Sequence, residues 1–328
     1  MTLVIYSDKF LLHDNPTHVE NASRATAIIN FLKKMPFYDK LNLIEPDEIS
    51  EDEIEKVHDS EMIKRAKKVG WLDMDTYTNE FSYEVAKLAA GGAIKACDEI
   101  IEGKDRNAFA ILRPPGHHAT RHASMGFCIF NNAGIAGNWL AEKGKRVLIF
   151  DHDVHHGNGT QDIFYERCDV LYQSIHLYPH YPGTGRIEEV GTGEGEGYTV
   201  NAPLPYGSGE GCVRKIMDEI MIPIAKEFSP DFVIISAGFD SHYADPLGGL
   251  ALGINFYGEI IEKFKGVQEK IVCLLEGGYL ADNLARGVAI EISHLVDEPI
   301  SFEENVGGKE CDRIVEEIKR VMKNYWNL

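Results

Sequence analysis

Five apolar runs, each ending in a cluster of polar residues, constrain this chain more than any other feature. Residues 108–113 (AFAILR) run into PPGHH, 146–150 (RVLIF) into DHDVHH, and 169–176 (DVLYQSIH) into LYPHYPGTG. Residues 231–237 (DFVIISA) run into GFDSH and 270–276 (KIVCLLE) into GGY. Near-continuous apolar strands of this kind belong in a parallel sheet covered on both faces. Helical segments between them fit that reading: 82–103, 131–144 and 210–228 carry small and apolar residues at helical spacing. Ser82 is placed to cap the first, Gly103 to end it, and Pro223 to break or kink the third. The fold class is therefore α/β, a parallel sheet with helices on both faces. No linker, repeat or low-complexity tract divides the chain, which reads as one domain, 1–328. GTGEGEG (191–197) is no phosphate loop, because its two glutamates would repel phosphate and the strand-like YTVNAPL follows where a helix should start.

In open parallel sheets, ligands bind beyond the carboxyl ends of the strands, where all five polar clusters fall. DHDVHHGNG (151–159) is the densest. If the extended backbone continues, Asp151, Asp153 and His155 share one face, with His152 and Val154 on the other. Two carboxylates and an imidazole on one buried face cost several kcal/mol unless protons, water or a cation offset them.

A carboxylate–imidazole–carboxylate set can hold a catalytic zinc with a position left for water or substrate. Asp153 and His155 supply two ligands, and Asp240 in SAGFDSH is the best placed third, since its strand also points at the carboxyl edge. Such a site suits hydrolysis, with a base and an oxyanion donor still to be found. The tandem His117 and His118 in RPPGHHA offer the base; adjacent imidazoles cannot easily both be charged, so one should have a lowered pKa. Tyr279, after Gly277 and Gly278, offers a phenol on a backbone free to turn tightly. His13, His18, His58 and His294 default to structural roles.

Composition narrows the field. The net charge of −19 opposes binding to a phosphate backbone, so nucleic acid is not expected as a partner, and mildly favours cationic ligands. No apolar run reaches the ~18 residues of a membrane span, and the N-terminal MTLVIYSDKF has no leader pattern; a soluble, intracellular, cytoplasmic protein is expected. The six cysteines are scattered, with no pair two residues apart, and read as buried, reduced thiols.

RPPGHHA, GFCIFNN, DHDVHHGNGTQ, SIHLYPHYPGTG, SAGFDSH, DPLGG and LEGGY, in this order, resemble the histone deacetylase family, which includes acetylpolyamine amidohydrolases and microbial deacetylase-like enzymes. The resemblance runs from about Val4 to about Leu295. It implies the arginase/deacetylase fold, with an eight-stranded parallel sheet, and a catalytic Zn2+, or Fe2+, on Asp153, His155 and Asp240. It implies that His117 and His118 activate water and protonate the leaving amine, that Asp151 orients His117, and that Tyr279 donates to the substrate carbonyl. It further implies a K+ or Na+ site built from Asp151 and Asp153 with backbone oxygens near His155, Ser174 and Ile175. Phe127 and Tyr181 match the walls of an acyl-lysine tunnel and Gly126 a backbone contact in it, with Leu247 and Gly278 also counted as substrate-binding. Asn158, where one branch carries a second Asp behind His118, and Leu247 point to the class II-like branch.

The function expected is a zinc-dependent deacetylase that removes an acyl group from a primary amine, either acetyl-lysine of a protein or an acetylated polyamine. The alternative is a non-catalytic protein that binds such groups in a retained pocket. It is disfavoured because His117, His118, Tyr279 and all three ligand candidates are present together. An arginase-like two-metal site is rejected, because only Asp245 adds a carboxylate near Asp240. Acyl-chain length and homo-oligomerisation stay open. Asp73 or Asp75, in DMDTYTNE, could grip a substrate backbone at the rim.

Overall fold

The computed structural model describes residues 1–328. Ten strands form in chain order: β1 (Thr2–Ile5), β2 (Leu41–Ile44), β3 (Gly70–Trp71), β4 (Tyr77–Thr78), β5 (Asn107–Ala110), β6 (Val147–Asp151), β7 (Val170–Leu177), β8 (Thr199–Leu204), β9 (Phe232–Ala237) and β10 (Ile271–Leu275). Eight of them make one sheet in the order β2-β1-β5-β10-β9-β6-β7-β8. Every pairing in it is parallel. β3 and β4 form a separate antiparallel pair.

The strands are apolar throughout because both faces are covered. On one face Val4, Phe109, Cys273, Ile235, Phe150 and Leu171 join a large core cluster. On the other, Leu3, Ala108, Val272, Ile234, Ile149 and Val170 join a second. Alternate residues of each strand thus go to opposite layers, as the pleat requires.

Chain order and sheet order differ where it matters. From β5 the chain crosses to β6, leaving a gap that β9 and β10 later fill, so β5, β10, β9 and β6 are consecutive neighbours. Four of the polar clusters therefore emerge side by side at one sheet edge, which is where such a switch in order opens a crevice.

Local details refine the sequence reading. β1 and β2 lie outside the runs singled out in the sequence; both are four residues long, and β2 is a half-exposed edge. Ser82 is the first helical residue of Ser82–Ile101 rather than its cap, and its hydroxyl receives the Asn79 amide at 2.8 Å. Asn131 does cap Asn132–Glu142, accepting the Gly134 amide at 2.7 Å. Around Pro223 the helix does not break: Glu210–Ile216 passes through a π turn, Met217–Met221, into Ile222–Phe228, which accommodates the missing proline N–H. GTGEGEG forms a single 3-10 turn, Gly193–Gly195, ahead of β8.

The cysteine expectation needs correction. Cys212 and Cys311 form a disulfide with Cα atoms 5.3 Å apart, and Cys168 is exposed. The bonded pair stands at a sequence separation of 99, and they meet because the C-terminal segment folds back along Ser208 and Gly209. No helix is long and apolar enough to cross a membrane.

Candidate active site

β6 ends at Asp151, and the extended backbone stops there, contrary to the alternation expected through His155. The turn is built by the carboxylates themselves: Asp151 Oδ1 accepts the Asp153 amide at 3.1 Å, and Asp153 Oδ1 accepts the His155 amide at 2.9 Å. The division of side chains survives the turn. Asp151 and Asp153 face the His117 loop, whereas His152 turns the other way, toward Gly238 and Glu291.

Asp153, His155 and Asp240 converge, all buried, with one donor atom of each within 4.8 Å of the others. Asp153 Oδ1 lies 3.0 Å and Asp240 Oδ2 3.2 Å from His155 Nδ1. The second oxygen of Asp153 accepts the Gly277 amide at 2.8 Å, and Asp240 Oδ1 accepts the Val154 amide at 2.9 Å. Asp240 Oδ2, fully buried, has no well-directed hydrogen bond. Burial and then the charge of Asp153 push the Asp240 carboxyl up to about 6. Two carboxylates to one imidazole, with an orphaned oxygen aimed into the cluster, is a donor set that fits a divalent cation of the zinc type. The backbone crowds this set: a Cβ on Gly277 would stand 2.1 Å from Asp240 Oδ2, and one on Gly238 would stand 2.1 Å from Asp153 Oδ2.

His117 and His118 follow β5, their rings 4.0 Å apart. His117 Nδ1 lies 3.0 Å from Asp151 Oδ2, and His118 Nδ1 lies 2.8 Å from Asn158 Oδ1. The partners separate the two imidazoles electrostatically. Burial opposes charge on His117, but Asp151, Asp153 and Glu276 outweigh it and hold that imidazole well above its ordinary range. At His118 burial and the neighbouring His117 both oppose protonation, and its pKa falls well below the ordinary value. One charged and one neutral ring is the outcome expected for the tandem.

These groups open into a cavity of about 350 Å³ lined by Asp75, His118, Gly126, Phe127, His155, His180, Tyr181, Pro246, Leu247, Gly248 and Tyr279. Phe127 and Tyr279 meet edge to face at 5.7 Å, and Tyr181 stands edge-on to His118 at 5.1 Å. Phe127 holds a left-handed backbone, φ 69°, which few residues with a Cβ adopt without support. The support comes from the turn after β3, where Asp73 Oδ2 accepts the Gly126 amide at 3.3 Å and Thr76 Oγ1 the Phe127 amide at 3.0 Å. Asp75, not Asp73, reaches the cavity, and burial with Asp73 beside it raises its carboxyl to about 6. Burial and Asp240 hold the Tyr279 phenol well above its ordinary pKa, so it stays a donor.

Gly278, Ser174 and Ile175 do not line the cavity. Gly278 is behind the cavity, its carbonyl accepting Arg24 Nε at 2.8 Å. Ser174 and Ile175 are buried in β7, where Ser174 pairs in register with Asp151. Asp245 accepts the backbone amides of Leu247 at 3.0 Å and Tyr279 at 2.7 Å.

Other contributors went unanticipated. Arg24 reaches the Gly278 and Glu276 carbonyls, the latter at 2.5 Å, and its guanidinium lies 5.1 Å from the Tyr279 ring centroid. Glu276, buried, accepts the Gly116 amide at 2.7 Å and so ties the His117 loop to the end of β10. His180 stacks on His155 at 5.0 Å. Glu276 and His180 stand inside quoted motifs and could have been singled out; Arg24, in the helix Ser23–Leu32 near the start of the chain, carried no such signal.

A family model described as a histone deacetylase domain matches residues 18–295. A "Probable deacetylase" of Archaeoglobus fulgidus is 37% identical, with 99% of each chain covered. A "Probable deacetylase" of Methanothermobacter thermautotrophicus is 40% identical, with 87% of each covered. Among solved structures, one titled as the crystal structure of the HDA15 HD domain superposes with a TM-score of 0.91 at 35% identity, covering 99% of this chain and 97% of that one.

Proposed function

The chain belongs to the histone deacetylase family, and from that premise we propose that it is a zinc-dependent amidohydrolase that frees a primary amine from its acyl group. The observation that carries this reading is the convergence of four strand ends on one cavity. β5 brings His117 and His118, β6 brings Asp151, Asp153 and His155, β9 brings Asp240 and β10 brings Tyr279.

Asp153, His155 and Asp240 would hold the metal, zinc or ferrous iron. When bound, such an ion polarises the acyl carbonyl and acidifies water. The residues around it do the rest. Phe127 and Tyr181 flank the methylene stem of the substrate and exclude water from it. Neutral His118, fixed through Nδ1 by Asn158, takes a proton from the attacking water as the new C–O bond forms. The same proton, on the resulting imidazolium, goes to the amine nitrogen as the C–N bond breaks, releasing the free amine and the carboxylic acid, which keeps water's second proton. His117, kept charged beside Asp151, and the Tyr279 phenol stabilise the negative charge on the carbonyl oxygen between these steps. Asp151 and Asp153 beside the Ser174 and Ile175 backbone would also suit a potassium or sodium ion.

Acetyl-lysine of a protein and an acetylated polyamine both present the neutral amide and alkyl stem this cavity takes. Rates of acetate release from an acetyl-lysine peptide and from N-acetylputrescine, with zinc-loaded protein and Asp153→Ala as the blank, distinguish them. A tenfold preference in kcat/KM, about 1.4 kcal/mol, assigns the class. Activity on neither substrate with zinc bound favours the non-catalytic binding reading.

A further inference from the structure

Behind the proposed metal ligands, in the apolar layer, sits a polar pair that the mechanism does not use. His152 is 2% exposed and Glu291, on the helix Ala281–Leu295, is fully buried. Nε2 of His152 and Oε1 of Glu291 stand 2.9 Å apart but poorly aligned, and Glu291 Oε2 accepts no well-directed hydrogen bond, although the buried Cys273 thiol also faces this carboxylate. Around them are Phe239, edge-on to the His152 ring at 5.8 Å, and Tyr257, whose ring lies 5.4 Å away. An imperfectly satisfied carboxylate–imidazole pair in such surroundings costs stability that an apolar pair of similar volume would not. Its presence therefore calls for a task other than packing.

The other ring nitrogen shows what that task is. Nδ1 of His152 donates to the Gly238 carbonyl at 2.9 Å. His152 immediately precedes Asp153 after β6, and Gly238 lies two residues before Asp240 after β9. One side chain thus ties the loop carrying Asp153 and His155 to the loop carrying Asp240. Gly238 is also the residue that packs against Asp153 so closely that a Cβ would stand 2.1 Å from Oδ2. A small shift of Gly238 would accordingly change the separation of the two carboxylates. Glu291 holds the imidazole from behind. Its own helix is fixed against the same loop at Gly287, where a Cβ would meet the Phe239 ring at 2.3 Å.

We propose that His152, backed by Glu291, is a positioning residue that sets the spacing between the two ligand-bearing loops and so governs how tightly the metal ion is retained. This rests on the reading of Asp153, His155 and Asp240 as a metal site. In the full-length protein, zinc affinity is measured by competition with a chromophoric chelator, and metal-free stability by urea unfolding. In His152→Asn the amide nitrogen can replace Nδ1 toward Gly238; in His152→Gln it reaches toward Glu291 instead. The double variant His152→Phe/Glu291→Leu keeps the volume but has neither contact.

The double variant is expected to unfold at the same or a higher urea concentration than wild type, yet to bind zinc about 10-fold or more weakly, the scale on which partners behind metal ligands act. His152→Gln should lose affinity similarly and His152→Asn should retain most of it. Wild-type zinc affinity in the double variant overturns the proposal. Should the double variant fail to fold, equal affinities in the Asn and Gln variants overturn it just as well. Failure of wild type itself to bind zinc would instead remove the metal reading on which the proposal stands, and the proposal with it.

Discussion

Replacing Glu20 by Gln should weaken the protein out of proportion to the one atom changed. Glu20 is fully buried and receives Arg113 Nε at 2.5 Å, Arg113 Nη2 at 2.9 Å and Arg24 Nη1 at 3.1 Å. Burial pushes its carboxyl up, but Arg113 and then Arg24 outweigh it, taking the pKa from 4.5 down to about 2. That gap corresponds to about 3 kcal/mol at roughly 1.4 kcal/mol per tenfold change in proton affinity. Leaving two guanidinium groups buried without their carboxylate falls in the same range, about 3–5 kcal/mol. Because the folded state binds the proton more weakly, this stabilisation is complete above pH 4.5 and disappears as pH falls through about 2. Urea unfolding at pH 7 should therefore give a loss of about 3 kcal/mol or more in Glu20→Gln, and the difference from wild type should narrow as pH drops below 4.5. Activity should fall as well, since Arg24 holds the two carbonyls that flank Gly277 and lies beside Tyr279. A loss under about 1 kcal/mol at pH 7, the size of an exposed pair, would refute the reasoning.

Three other perturbations have defined outcomes. Tyr279→Phe, which removes one donor from the carbonyl oxygen, should lower kcat about 100-fold or more with little change in unfolding; unchanged turnover would remove Tyr279 from the mechanism. Cys212→Ser, or reduction of wild type, should cost about 2–4 kcal/mol in urea, since the bond closes a long loop; identical midpoints with and without reductant would show the bond contributes nothing. His58 is held neutral between the Thr120 carbonyl, which accepts from Nδ1 at 2.8 Å, and the Asn131 amide, which donates to Nε2 at 2.9 Å, and burial lowers its pKa from 6.5 to about 4. Its depressed folded pKa adds stability above pH 6.5 that is lost as pH falls toward 4, so His58→Gln should flatten the decline of unfolding free energy across that interval; an equally steep decline would argue against it.

The side chains of the candidate site were legible in the sequence because each cluster is local. In a doubly covered sheet, apolar strand and polar strand end adjoin in the chain, so RPPGHHA, DHDVHHGNG and LEGGY each announced a strand, its exit and a polar cluster beyond it. Sheet order was not local. Nothing in the β5 and β6 segments says that β9 and β10 will lie between them, yet that insertion is what brings Asp240 and Tyr279 to His117. The supporting contacts were least legible. Arg24 and Glu276, His152 and Glu291, Glu20 and Arg113, and Cys212 and Cys311 are far apart in the chain, and each pairing exists only once the layers are stacked. β2 escaped notice for the opposite reason: as a half-exposed edge it has no need of a long apolar run.

The central claim, that four strand ends build one metal-dependent deacetylase site, is met most directly by a metal titration. Chelator-stripped protein is loaded stepwise with zinc, and acetate release from an acetyl-lysine peptide and from N-acetylputrescine is followed beside an Asp240→Ala control. The account predicts no release without metal, a linear rise that breaks at one zinc per chain on at least one substrate, and no rise in the control. Full activity in the stripped protein, or an equal response in Asp240→Ala, would contradict it.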